Sequence, residues 1–151
     1  MHTENAIEIR ADLGRIVALA TDVERWPAIL PHYRSVTLLE GGGDRKVVEM
    51  RAKRDWFPVR WRAIQEVDRS EDTPVIRYRH VGGVTTGMEV AWTFRQSGSG
   101  YLVRIGHDLR LSWPVIGRFV GDRIIGPYFV ANIAGKTLAT IKRIAEAEAE
   151  S

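Results

Sequence analysis

Four arginines stand in pairs along two stretches that read as extended: Arg60 and Arg62 in VRWRAIQEVD, Arg77 and Arg79 in VIRYRHV. Alternation puts each pair on one face of a strand. If that face lines a cavity, the guanidiniums converge and imply an anionic head group. If it faces water, they partner Glu49, Glu66 or Glu89. Glu66 carries the same choice. Enclosed among apolar groups, a carboxylate shifts toward its neutral form and can serve as a general base. On a wet face it is an arginine partner. His107 alternates with Val103, Ile105 and Leu109, which turns it inward, either as a hydrogen-bonded core residue or as an acid/base group. Tyr33 offers a hydroxyl to a ligand carbonyl or to the rim of a cavity. The histidines, His2, His32, His80 and His107, make no H-x-H or H-E-x-x-H spacing, so no metal site is expected. Gly82, Gly83 and Gly87 lack a phosphate-loop pattern and read as a hairpin at a cavity mouth.

These residues need elements to hold them. The segment 22–39, DVERWPAILPHYRSVTLL, spaces Trp26, Ile29, Leu30 and Tyr33 by three and four, so a short helix puts them on one face. Pro27 and Pro31 clip that helix into turns. A bulky aromatic face on a broken segment suits the end of an apolar cavity. Before it, residues 3–10 alternate as a strand, and Asp12 is a suitable N-cap for LGRIVALATD, whose Leu13, Ile16, Val17 and Ala20 share a face. After it come six strand-like runs, 35–40, 45–54, 59–68, 75–81, 88–96 and 101–111, separated by turn signals such as GGGD and SGSG. No helical crossover intervenes, so an antiparallel meander is expected. Residues 114–125 read as a loose or short helix, and Pro127 opens a long one. On that helix Val130, Ile133, Ala134, Thr137, Ile141 and Ile144 form one stripe, with Lys136, Lys142, Arg143 and Glu146 opposite. The acids of EAEAES sit at the negative end of its dipole, where fraying is expected.

The 151 residues suffice for one domain with a sizeable core. The absence of cysteine excludes disulfides and thiolate chemistry. A net charge of +3, with basic residues scattered among acids, argues against nucleic-acid binding. Residues 111–134 are strongly apolar but carry Arg118, Asp122 and Arg123, which argues against a membrane span. The start lacks a basic region followed by an apolar run, and a cytoplasmic protein is the simplest expectation.

The order of elements, with D-V-E-R-W-P at 22–27, Tyr33 seven residues after the tryptophan, A-W-T-F at 91–94 and I-K-R-I at 141–144, resembles the START-like (helix-grip, SRPBCC) superfamily, and within it the polyketide cyclase/dehydrase and lipid-transport group. The resemblance covers essentially the whole chain. It implies an α+β helix-grip fold over residues 1–151, one START-like domain: a curved antiparallel sheet of six or seven strands around a long C-terminal helix, two short helices after the first strand, and an internal apolar cavity. Compared with aromatase/cyclases of this group, Trp26, Tyr33, Arg79, Met88 and Trp92 match pocket positions. The chain departs from them at Glu66, where they carry an arginine, at Thr137, where they carry an asparagine, and at Arg60 and Arg62.

Two functions follow from the resemblance. One is a carrier or chaperone that binds an apolar small molecule such as a lipid, quinone or polyketide, with no cofactor. The other is an aromatase/cyclase acting by aldol condensation and dehydration, with Tyr33, Arg79 and Glu66 as its catalytic candidates. The expected ligand-binding set is Trp26, Leu30, Tyr33, Arg62, Arg79, Met88, Trp92, His107, Ile133 and Thr137. Trp113, Phe119 and their apolar neighbours through 125 suit a lid, pairing of two subunits, or transient membrane contact. Both monomer and homodimer remain open.

Overall fold

The structure, a computed structural model, describes residues 2–54, 57–83, 85–108 and 127–150. Strand β1 (His2–Ile9) leads into helix α1 (Leu13–Thr21), a 3-10 turn at Val23–Arg25 and the single-turn helix α2 (Trp26–Ile29). Six strands follow: β2 (Tyr33–Gly42), β3 (Arg45–Arg54), β4 (Phe57–Asp68), β5 (Val75–Gly83), β6 (Glu89–Ser97) and β7 (Gly100–Asp108). Helix α3 spans Pro127–Glu150. All neighbouring strands are antiparallel, in the order β1-β7-β6-β5-β4-β3-β2. The expected α+β helix-grip architecture is what the chain adopts.

Period-two alternation decides which face of the sheet is dry. On β4 the inner residues are Val59, Trp61, Ala63, Gln65 and Val67; on β5 they are Ile76, Tyr78 and His80. Helix α3 buries Ala134, Thr137, Leu138, Ile141 and Ala145. It lies against β1, β7 and α1, while α2 packs on β2 at the opposite edge of the sheet. The glycines at two crossings are there for space. A Cβ at Gly100 would stand 2.2 Å from the Ile9 carbonyl oxygen, where β1 closes on β7. Gly83 has φ +92 and a Cβ there would stand 2.3 Å from the Arg60 carbonyl oxygen.

One local expectation is corrected. The helix through Trp26 ends at Ile29, and Tyr33 opens β2, so the aromatic pair meets across a helix–strand corner and does not share a helical face. Asp12 stands at the N-cap without a side-chain cap; its backbone carbonyl accepts from Arg15 and Ile16 at 3.1 Å each. At the far end α3 continues through Glu150. Its acids are engaged there: Glu146 accepts from the Arg10 amide (2.9 Å) and Lys142 (2.8 Å), and Glu148 pairs with Arg15. These contacts offset the dipole. Residues 109–126, including Leu109 and the 113–125 stretch expected to act as lid or contact surface, lie outside the described residues. No helix among the described residues is long and apolar enough to cross a membrane.

Candidate functional site

Between α3, α2 and the concave face of the sheet lies a cavity of about 80 Å3. Four aromatic rings and an imidazole run along it in a continuous chain of ring contacts. Trp92 contacts Trp26 (6.1 Å between centroids), Trp26 meets Tyr33 edge-on (5.2 Å), and Tyr33 meets Trp61 (6.1 Å). Trp61 stacks on His80 at 5.7 Å, the planes 4° apart. Met50, Val59, Val90, Ile105 and Ala134 add aliphatic wall, and Met88 closes the β5–β6 end. The side chains come from the inner parity of β2 to β7, from α2 and from one face of α3, and that convergence makes the site.

Most of its polar atoms are tied back into the protein. The Trp26 Nε1–H donates to the Leu19 carbonyl (3.1 Å), which holds α2 onto α1. The Tyr78 hydroxyl donates to the Ala20 carbonyl (3.2 Å) and accepts from Gln65 Nε2 (2.6 Å); Gln65, fully buried, also donates to the Thr21 carbonyl (3.1 Å). The Thr137 hydroxyl donates to the Ile133 carbonyl (2.8 Å). His80 Nδ1 lies 2.6 Å from the Thr85 hydroxyl. Burial, with a smaller contribution from His107, lowers the His80 pKa to about 3. Burial lowers His107 to about 4, against a smaller opposing pull from Asp108. Both imidazoles are therefore neutral at pH 7. The Tyr33 and Tyr78 hydroxyls are pushed up by burial and stay protonated. Thr3 Oγ1, Asn5 Oδ1 and His107 Nδ1, on the inner face of β1 and β7, are buried with no hydrogen-bond partner. Of these, His107 belongs to the cavity wall, where its Nδ1 is unspent hydrogen-bonding capacity.

Of the expected site residues, Trp26, Tyr33, Met88, Trp92, His107, Ile133 and Thr137 line the cavity. Leu30 is fully buried in the core behind that wall. Arg62, Arg79 and Glu66 are not brought to it; they are exposed, as are Arg60 and Arg77. The reason is strand parity: Tyr78 and His80 take the inner face of β5, which leaves Arg77 and Arg79 outside, and Trp61 and Gln65 do the same to Arg60, Arg62 and Glu66. Outside, Arg77 pairs with Asp68 (3.2 Å) and Arg62 with Glu49 (3.8 Å). The catalytic set Tyr33, Arg79 and Glu66 is thus split across the sheet, with only Tyr33 inside. Trp61, Tyr78 and His80 were missed. Their signal was present in the same alternation that carries the arginines.

Comparison with known proteins agrees with this fold. The family model described as polyketide cyclase/dehydrase and lipid transport matches residues 9–126. A curated protein from Streptomyces cyaneus, described as a putative polyketide cyclase, is 26% identical over 100 residues, covering 66% of each chain. Among solved structures, TTHA0849 from Thermus thermophilus is similar with a TM-score of 0.81, at 21% identity over 98% of this chain and 99% of that one. The Zhui aromatase/cyclase from a Streptomyces species, R1128, has a TM-score of 0.72 at 18% identity, covering 97% of both chains. A STAR-related lipid transfer protein from Xanthomonas axonopodis has 0.73 at 11% identity, over 96% of this chain and 85% of that one. These structural likenesses carry the fold. The chain belongs to the polyketide cyclase/dehydrase and lipid-transport family.

Proposed function

We propose that the protein is a binding module that holds an apolar small molecule, such as a lipid, quinone or polyketide, in the cavity between α3 and the sheet, as carrier or chaperone. The observation that carries this reading is the cavity wall: a belt of Trp26, Tyr33, Trp61 and Trp92 with aliphatic neighbours, whose polar atoms are mostly satisfied by the protein itself. Such a wall favours an apolar body and leaves only a few groups to orient it. A space of about 80 Å3 is small beside pockets of roughly 300–1,000 Å3 for drug-sized ligands. A sizeable ligand therefore enters by moving lining side chains, and Met50 and Met88 have the softest rotamers for it. Native mass spectrometry of the purified protein tests this. The expected result is a co-purifying apolar adduct that organic extraction removes. Protein that carries none, and whose tryptophan fluorescence ignores added apolar ligands, sinks the carrier reading.

A second reading, an aromatase/cyclase performing aldol condensation and loss of water, is favoured by one observation. Tyr33, His80, His107 and Thr137 converge on the same cavity, with Tyr33 as a donor to a carbonyl oxygen and two neutral imidazoles as proton acceptors. The Streptomyces cyaneus relative, described as a putative polyketide cyclase, supports it. Imidazoles held so low are weak bases, so binding stands first.

A further inference from the structure

The sheet ends in two edge strands, β1 and β2, and the chain guards them unequally. At β1, helix α3 lies alongside, the Lys142 ammonium donates to the Glu8 carbonyl at 2.6 Å, and Glu4 and Glu8 stand exposed, so a further strand would meet like charges. β2 is different. From Ser35 to Leu39 it carries no charge and no proline. Residues 37–42 are all exposed, Leu38 by 43% and Leu39 by 47%. Among the described residues, no backbone group of 35–40 makes a hydrogen bond except within the β2–β3 ladder. An edge of this kind is a template for another strand.

The sequence of β2 complements itself when read antiparallel. Residues directly opposite in an antiparallel pair point to the same side of the sheet. Val36 and Leu38, opposite the buried Met50 and Val48, have inner parity; Ser35 and Thr37, opposite Arg51 and Glu49, have outer parity. Two copies of β2 can pair only in registers that match parity. With Thr37 on the two-fold axis, Val36 faces Leu38 of the other copy, and Arg34 faces Glu40 at both ends. An axis at Val36 sets Arg34 against Leu38, and an axis at Leu38 sets Glu40 against Val36, so each strands a charge. Neither Arg34 nor Glu40 has an ion-pair partner within the chain among the described residues. Irregularities at 34 and 39 bound the regular run, so the interface is short.

We propose that β2 is a docking edge for a second copy of this chain: two β2 strands run antiparallel about a two-fold axis at Thr37 and join two seven-stranded sheets into one. Backbone hydrogen bonds form the seam, the Val36–Leu38 contacts fix its parity, and an Arg34–Glu40 pair at each end fixes its register. One strand pair buries little surface, so association is weak and reversible, half complete near about 0.1 mM. The pairing is independent of what the cavity holds.

The test is sedimentation velocity from about 10 μM to about 1 mM at low salt, with circular dichroism to check the fold of each variant. Wild type should pass from monomer to dimer over that range. The double variant Leu38→Lys, Leu39→Lys, at two exposed positions, should stay monomeric. Arg34→Glu alone and Glu40→Arg alone each set like charges together at both ends and should weaken the dimer about tenfold. An equimolar mixture of those two single variants restores both ion pairs in the mixed dimer, so it should associate more tightly than either variant alone. The combined variant Arg34→Glu, Glu40→Arg should recover wild-type association. The chain has no cysteine, so Thr37→Cys should give a disulfide-linked dimer on mild oxidation. A wild type that stays monomeric throughout overturns the proposal and leaves the edge to a strand of another protein. A dimer indifferent to the two lysines lies on another face and overturns it too. If mixing the single variants gives no gain, the register centred on Thr37 is wrong.

Discussion

Acidification puts the buried imidazoles under direct strain, and His80 is the sharpest case. In the unfolded chain its ring titrates near 6.5, whereas burial and His107 hold it at about 3 in the fold. Between those values the unfolded state binds a proton that the folded state refuses, so stability falls as pH falls. Above about 6.5 the ring is neutral in both states and contributes no slope. One proton of difference is worth about 1.4 kcal/mol per pH unit. Going from pH 6.5 to about 4 therefore costs on the order of 3 kcal/mol at His80 alone, a large share of the roughly 5–15 kcal/mol that holds a typical domain together. The assay is urea unfolding of wild type and His80→Gln across a series from about pH 7 to about pH 4.5. Glutamine preserves a partner for the Thr85 hydroxyl and cannot titrate. His32 and His107, both near 4, and Asp68, held near 2 chiefly by hydrogen bonds from Ser70, slope the same way as His80. His2, raised chiefly by its hydrogen bond to Asp108, slopes the opposite way. These contributions cancel in the difference between the two proteins. That difference should approach one proton, about 1.4 kcal/mol per pH unit, below about pH 5.5. Parallel curves for the two proteins would show that His80 is not desolvated and refute the reasoning.

Two substitutions probe the rest of the site. Gln65→Leu leaves the Thr21 carbonyl and the Tyr78 hydroxyl short of a donor, and chemical denaturation should record a loss on the order of 1–3 kcal/mol; a neutral result would remove the buried network from the account. Arg79→Ala, on the exposed face of β5, should change stability by less than about 0.5 kcal/mol and leave ligand affinity as it was. A tenfold weakening of binding would put Arg79 back among the cavity residues.

The sheet was legible because its alternation is clean. Arg45–Arg54 was bounded correctly from sequence, and the strand at 59–68 was found apart from its first residues. The inward turn of His107 followed from Val103 and Ile105 by the same count. The misplacement of Arg79 came from setting a family correspondence above parity. Tyr78 and His80 can bury only if their neighbours face water, and an exposed arginine is the cheaper outcome on either count. The corner at Tyr33 was harder to read. Spacings of three and four fit a helix, but Pro31 and the pairing of Tyr33 with Ala52 turn the chain into β2 within three residues of α2. The size of the cavity depends on how side chains of six strands and two helices meet, and no local pattern encodes that.

The strand order has a consequence for how the molecule is assembled in time. β1 pairs along its whole length with β7, from His2 opposite Asp108 to Ile9 opposite Tyr101, although most of the sheet separates them in sequence. The first strand to leave the ribosome thus waits for the last one, while β2 to β7 can zip by successive hairpins as they emerge. Closing a loop of that length carries an entropic cost that local hairpins avoid. Helix α3 then rests on β1, with Asn5 donating to the Ala131 carbonyl at 3.1 Å. The wall that α3 gives the cavity therefore rests on β1, the strand whose sheet pairing spans the longest stretch of sequence.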